Sequence, residues 1–330
     1  MGFVNFEKGN FSMPHLSGIT IYPVKSLDGL RLAEATVLPS GAIMHDRRWR
    51  LIDTEGRVVN AKSTARFHSI RAQFEGMDDD CNRTPQSAAR YFVTLWMGHE
   101  LSETSDDSQS AETFPLVPGS EGPCEWLSDA LREHAFLEER VEGGFPDDRD
   151  ASGPTVISTE TLSEVARWFG WNDTEARRRF RMNLELTAEP DQLSSDESQD
   201  SGLFYGAFWE DRLACPVQKK NLIASLSEGD ESLDYLPVSE PDVFSIGGIE
   251  FRPAGACRRC VVPSRDTRTG KQVTLFRDVF EARRYRGLRQ DVDTRDWQDY
   301  YRLGLNTSVV RSHAGGRLAI GDELKLRETS

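Results

Sequence analysis

The sequence predicts a mainly β fold with peripheral helices, an α+β chain in two domains. Three observations predict it. Short runs rich in β-branched and apolar residues recur through the first third of the chain. Turn formers separate them at short intervals, as in Pro39-Ser40-Gly41 and Asp53-Thr54-Glu55-Gly56. The length of 330 residues suits two domains of ordinary size better than one. Many short, closely spaced strands make a barrel or a sandwich.

The elements follow in order. Residues 18–22 alternate and are β-branched, so they read as a strand that stops at Pro23. Lys25 and Ser26 then sit side by side in a loop, where charge and a hydroxyl suit phosphate as well as plain solvent. Strand signals recur at 33–38, 49–53, 58–60, 69–74 and 91–96. Between them His45-Asp46-Arg47-Arg48-Trp49 places adjacent arginines that suit an anion, and a tryptophan that suits a core. His45 and His68 lack a second ligand-type residue at helical spacing and read as structural or exposed. Residues 76–90 and 102–112 are polar excursions. A helix is expected over 123–135, with the first domain ending between there and Gly153.

The second part opens with a short apolar strand at 153–157. It runs into a helix start where Thr161 and Glu164 have capping-box spacing and Gly170 is the stop. Ser158 and Thr159 lie near that helix start, where backbone N–H groups favour an anion, although an ordinary cap explains them too. Residues 172–178 suit a short helix. Residues 179–186 alternate as a strand that would point Arg181 and Asn183 to one face. Two inserts, 188–201 and 225–243, carry five and six carboxylates and no basic residue, and read as solvated loops. The aromatic segment 204–213 between them suits packing or a pocket wall. A hairpin at 244–251, a helix at 275–286 and closing strands at 303–310 and 317–326 complete the chain. Arg283, Arg284, Arg286 and Arg289 read mainly as a solvated helix face.

Composition narrows the function. Hydrophobic residues are 38% and charged residues 28%, as in a soluble globular protein. No run approaches the roughly 18 apolar residues of a membrane span. The first residues lack a signal-peptide core, so the expected location is cytoplasmic, with no membrane partner. Five scattered cysteines, Cys81, Cys124, Cys215, Cys257 and Cys260, do not form a secreted disulfide framework. The net charge is −14, yet residues 251–330 hold 17 Lys and Arg against 10 Asp and Glu. The acidic balance argues against nucleic acid as a partner, and the basic segment suits a small anion.

That segment holds the densest chemistry, at 253–270: Cys257-Arg258-Arg259-Cys260, then Asp266-Thr267-Arg268-Thr269-Gly270. Its glycines and prolines suit a loop. A thiol among cations loses its proton more readily, and thiolates are soft metal ligands. An inert buried pair beside a solvated basic loop is equally consistent with the residues. A zinc site would want four ligands, and no second cysteine or histidine pair has the spacing. A thiol-redox pair would stand at a helix start after a strand.

Ile21-Tyr22-Pro23-Val24-Lys25-Ser26 and Asp46-Arg47-Arg48-Trp49 resemble the N-terminal β-barrel domain that accompanies MOSC domains. Arg179-Phe180-Arg181-Met182-Asn183, the Cys257–Cys260 motif, the Asp266–Gly270 motif and Ile320-Gly321-Asp322 resemble the MOSC domain itself. The likeness runs over nearly the whole chain. It implies two β-barrel-like domains, at 16–140 and 150–328. In architecture the chain looks like the mitochondrial amidoxime-reducing component and its bacterial counterparts.

The resemblance implies a molybdenum cofactor of molybdopterin type and reduction of N-hydroxylated (amidoxime, hydroxylamine or N-oxide) substrates. Cys260 would ligate molybdenum. Lys25, Ser26, Arg47, Ser158, Thr159, Arg181 and Asn183 would hold the cofactor, and Asp266 would be an acid near the metal. A cofactor carrier without turnover is the alternative. Electrons would come from a separate protein of ferredoxin, flavodoxin or cytochrome b5 type, since the four-cysteine run of a fused [2Fe–2S] domain is missing. No aminotransferase-like part precedes the MOSC-like part, so a cofactor-sulfurating enzyme is not expected. Met182 replaces the family's usual proline, and Thr267 follows Asp266 where proline is common.

Overall fold

The computed structural model describes residues 13–77, 91–98, 111–117, 119–148, 150–188, 206–215, 243–311 and 316–326. The first half runs β1 (His15–Ile21), β2 (Leu30–Leu32), β3 (Glu34–Val37), β4 (Trp49–Ile52), β5 (Val58–Val59), β6 (Ile70–Glu75), β7 (Phe92–Met97), β8 (Glu112–Pro115), α1 (Glu121–Leu131) and β9 (Phe136–Glu139). The second half continues with β10 (Val156–Ser158), α2 (Thr159–Phe169), α3 (Asp173–Phe180), β11 (Leu184–Thr187) and α4 (Asp211–Ala214). It closes with β12 (Phe244–Ile246), β13 (Ile249–Arg258), α5 (Phe276–Arg286), β14 (Arg302–Arg311), β15 (Gly316–Ala319) and β16 (Leu324–Leu326). The fold is mainly β with few helices, as expected.

The largest sheet has eight strands in the order β16-β12-β13-β14-β10-β11-β1-β2. Strand β1 is thus sandwiched between β2 and β11, antiparallel to both. Its burial pattern explains the choice: Leu16, Ile19 and Ile21 are fully covered, and burying each contributes about 1.5–3 kcal/mol. The other strands form a β15-β3 pair and two three-stranded sheets, β5-β4-β9 and β6-β7-β8. Among the described residues these ladders are open, and no closed barrel is traced. Strand β1, next to one end of the large sheet, nevertheless approaches β16 at the other end. The Leu16 N–H donates to the Asp322 carbonyl at 2.8 Å, and the Leu324 N–H to the Pro14 carbonyl at 2.7 Å.

One core runs through both halves of the chain, from Leu16 and Trp49 to Phe251 and Leu324. A second gathers Leu162, Val165, Phe180, Phe276, Phe280 and Leu303 under α2 and α5. The polar excursions near 78–90 and 99–110 and most of both acidic inserts lie outside the described residues.

Several local expectations change. The run from Pro253 to Arg258 belongs to β13, not to a loop; register shifts after Pro253 and after Ala256 let it stay paired to β14. The expected strand at 179–186 begins only at Leu184. Arg179 and Phe180 end α3, and Arg181 is its left-handed cap at φ 53°. The α2 cap is Ser158, whose hydroxyl accepts from the Thr161 N–H at 3.1 Å, so the capping residue lies three positions before the expected Thr161.

Arg284 does not solvate a helix face. It is fully buried, ion-paired to Asp211, and its guanidinium carbon lies 4.0 Å from the Phe208 ring centroid. Beside it Glu210 is buried, its Oε2 accepting from Ser158 and Thr161 at 2.9 Å. Burial first, and the neighbouring Asp211 charge second, push the Glu210 carboxyl up to about 7. Its folded pKa therefore lies above the ordinary carboxylate value. Below that ordinary value both folded and unfolded chains hold the proton. Between the two values only the folded chain holds it, so stability falls as pH rises through the folded value. Thermal unfolding between pH 5 and 8 is expected to show this fall, and Glu210→Gln to flatten it.

Candidate functional site

Four backbone segments converge on one cavity of about 380 Å³, within the size range of small-molecule sites. The loop after β1 brings Lys25 and Ser26, and the 45–48 turn brings Arg47. The cap of α3 and the residues after it bring Arg181 and Asn183. The end of β13 and the turn beyond it bring Cys257, Arg259 and Cys260.

The turns are held by backbone geometry. Arg47 lies at φ 50° and Arg181 at φ 53°, left-handed positions that aim both side chains off their elements. The Tyr22 N–H donates to Asp46 Oδ1 at 2.8 Å, and the Arg47 N–H donates to the Tyr22 carbonyl at 2.9 Å. Gly144, at φ 60°, packs against the same turn. A β-carbon there would stand 2.5 Å from the Asp46 carbonyl oxygen and 2.8 Å from that of Arg47. Only glycine avoids both clashes.

Electrostatics make the cavity cationic. The Arg181 guanidinium carbon sits 4.1 Å from the Tyr22 ring centroid and that of Arg47 5.3 Å from it, a cation–π arrangement. Arg181 makes no salt bridge among the described residues. Burial pulls its pKa below the usual value, with Arg47 adding to the effect against Tyr22. Such a guanidinium is short of negative charge. Tyr22 stays neutral, pushed up to about 12 by burial against the pull of Arg181 and Arg47. Its hydroxyl donates to the Met182 carbonyl at 3.3 Å.

Asn183 is buried and works as a strut. Its Oδ1 accepts from the Thr155 N–H at 3.2 Å and from Arg47 at 3.4 Å, and its Nδ2 donates to the Thr20 carbonyl at 3.0 Å. Ser26 is likewise committed, its Oγ accepting from the Ala61 N–H at 3.0 Å. Lys25 reaches Asp147 at 2.9 Å.

The two cysteines differ. Cys257 is buried at the end of β13, and its Sγ donates to Asn306 Oδ1 at 2.7 Å. Burial pushes its thiol up to about 12, against a smaller pull from Arg259. Cys260 is half-buried and lies on the cavity wall past the strand end. Iodoacetamide at pH 8 is expected to label Cys260 well before Cys257, as peptide mapping by mass spectrometry would show. Among the described residues no cluster of three His, Cys, Asp or Glu could hold a metal, and of the two thiols on the wall Cys260 is the more accessible.

Lys25, Ser26, Arg47, Arg181, Asn183 and Cys260 therefore meet in one cavity, and Ser158, Thr159 and Asp266 do not line it. Ser158 is fully buried in the α2 cap, and Thr159 Oγ1 pairs with Thr187 Oγ1 at 3.0 Å. Asp266 turns into its own loop, accepting from the Thr269 N–H and hydroxyl, both at 2.9 Å. Burial opposes the shift, but these bonds hold its carboxyl below the usual range, so it stays ionised at neutral pH. Its neighbour Thr267 lines the cavity instead.

The sequence reading missed Lys62, Arg71, Asp147 and Asn306 as wall residues and treated His68 as structural or exposed. His68 is kept neutral: burial, then Arg265 and Arg181, push it down to about 4. The only signal for Asp147 was its place after Gly143-Gly144 and Pro146, a turn-forming run that fixes a loop.

Residues 13–133 match the family model described as MOSC N-terminal beta barrel domain. Over 270 residues the chain is 21% identical to a molybdenum cofactor sulfurase of Drosophila yakuba, with 81% of this chain covered. The match spans only 30% of that relative's length. A solved structure, the YUAD protein from Bacillus subtilis, aligns over 95% of this chain and 96% of its own at 11% identity and a TM-score of 0.30. Among the described residues, no helix is long and apolar enough to cross a membrane. The matched N-terminal segment and the similarity to the sulfurase together support a MOSC-type protein with an N-terminal β-barrel domain.

Proposed function

We propose that the cavity holds a molybdenum cofactor of molybdopterin type and that the protein reduces N-hydroxylated compounds. The observation that carries this reading is the convergence of Lys25, Arg47, Arg181 and Cys260 on one cavity. Association with the molybdenum cofactor is also what the family match and the sulfurase relative favour. The donor set fits the group: one soft thiolate for the metal, and guanidinium and ammonium groups for a phosphate.

Cys260 would be the protein ligand to molybdenum. Arg181, Arg47 and Lys25 would neutralise the phosphate and pterin side, while Asn183 and Tyr22 orient the two arginines. When bound, the cofactor supplies two-electron redox chemistry, and the protein supplies binding, orientation and charge. Cys257 stays protonated and outside that ligand set. Asp266, ionised and tied into its turn, does not suit the role of acid, so protons for N–O reduction would come through water. Electrons would arrive from a separate ferredoxin, flavodoxin or cytochrome b5 type protein.

The test is metal analysis of the purified protein together with benzamidoxime reduction driven by an artificial electron donor. Stoichiometric molybdenum with turnover is expected. Molybdenum without turnover would leave a cofactor carrier. Zinc in place of molybdenum would sink both readings.

A further inference from the structure

The cation cluster already contains an anion that belongs to the chain. Asp147 Oδ1 lies 2.9 Å from Lys25 Nζ and 3.7 Å from Lys62 Nζ, and its Oδ2 lies 3.6 Å from Arg47 Nε. One half-exposed carboxylate thus touches three cations, supplied by three separate segments of the chain. Its neighbour Asp148 also lines the cavity and accepts from Asn306 at 3.2 Å. Arg47 has a second carboxylate partner in Asp46, and Lys25 a carbonyl partner in Phe145, so of the three cations the two lysines depend most on Asp147 for negative charge. Burial opposes ionisation of Asp147, but Arg47, Lys25 and Lys62 outweigh it and hold the carboxyl far below the usual range.

The carboxylate sits on a loop, not on a strand or helix. Gly143 and Gly144 both have positive φ, and Pro146 precedes it. The Phe145 N–H donates to the Arg47 carbonyl at 2.8 Å, which ties the base of the loop to the Arg47 turn. The side chain is half exposed, so it is free to leave without exposing a core.

We propose that Asp147 is a specificity-determining residue, a tethered anion that dianionic ligands displace from Lys25, Lys62 and Arg47 and that monoanions do not. This rests on the reading of the cavity as an anionic-cofactor site. Tethering gives the carboxylate a high local concentration at the cluster. A singly charged ligand exchanges one monoanion for another and gains little. A phosphate monoester brings a second charge and more acceptor oxygens, and outcompetes it.

Calorimetric titration of the full chain with inorganic phosphate and with acetate at pH 8, at fixed ionic strength, tests this. Asp147→Asn is expected to tighten phosphate about tenfold, the equivalent of one lost competing charge pair, and to let acetate bind measurably. Asp150→Asn, which removes the same charge from an exposed position nearby that does not line the cavity, is expected to change neither. Equal tightening by both variants would reduce the effect to overall charge and overturn the proposal. Unchanged affinities in Asp147→Asn, with phosphate bound normally, would overturn it and leave the cofactor reading standing. No phosphate binding by any of the three proteins would overturn both.

Discussion

On the proposed function, replacing Cys260 with alanine is expected to leave a folded protein whose molybdenum falls to background and whose reductase activity is lost. The side chain is half-buried on the cavity wall, beyond the last paired residue of β13, so its removal opens no core cavity. Its loss would take away the one soft donor the described wall offers the metal besides the buried Cys257. Cys257→Ala should behave in the opposite way. That thiol packs in the second core and holds Asn306, so its truncation costs about 1–2 kcal/mol of stability. Molybdenum content should stay near stoichiometric. Metal content and thermal midpoint measured side by side separate the two variants, and the reverse ranking would assign the ligand to Cys257.

The largest effect on stability is expected at the Asp211–Arg284 pair. Both side chains are essentially inaccessible, at 2% and 0% exposure. Removing one partner strands a buried charge, which costs about 3–5 kcal/mol. Arg284→Met should therefore lower the denaturation midpoint sharply, and Asp211→Leu similarly. The double variant should be less destabilised than either single one, because no uncompensated charge remains. A double variant as unstable as the sum of the singles would mean that the two side chains act independently.

The strand-rich character and the turns were legible because each carries a local signal, and part of the cavity lining because its residues stand in motifs. Alternation marks β1, and the Gly247-Gly248 turn marks the β12–β13 hairpin. Lys25, Arg47, Arg181 and Cys260 stood out as cations or a thiol in motif order. The failures share a physical cause: tertiary contacts that no local pattern encodes. Arg181 and Asn183 read as one strand face, yet Arg181 is the left-handed cap of α3 and the strand begins only at Leu184. Ser158 was weighed as an anion contact because helix starts favour anions, but Glu210, 52 residues later, already accepts its hydroxyl. Arg284 read as surface because it stands in a run with Arg283, Arg286 and Arg289, while its true partner lies 73 residues upstream. Asp147 lacked a motif altogether and is defined by three cations far from it in sequence.

The placement of β1 has a consequence for the way the chain is made. The Ser17 hydroxyl donates to the Glu185 carbonyl across the β1–β11 ladder although 168 positions separate them. At about 5–20 residues per second of synthesis, β1 is out of the ribosome for roughly ten seconds or more before β11 exists. During that interval Leu16, Ile19 and Ile21 have no β11 edge to pair with. Pairings this distant also slow folding itself, because the loop must close before the contacts reward it. The large sheet is therefore completed late in the life of the nascent chain, and the cavity that depends on Tyr22, Lys25 and Arg181 is completed with it.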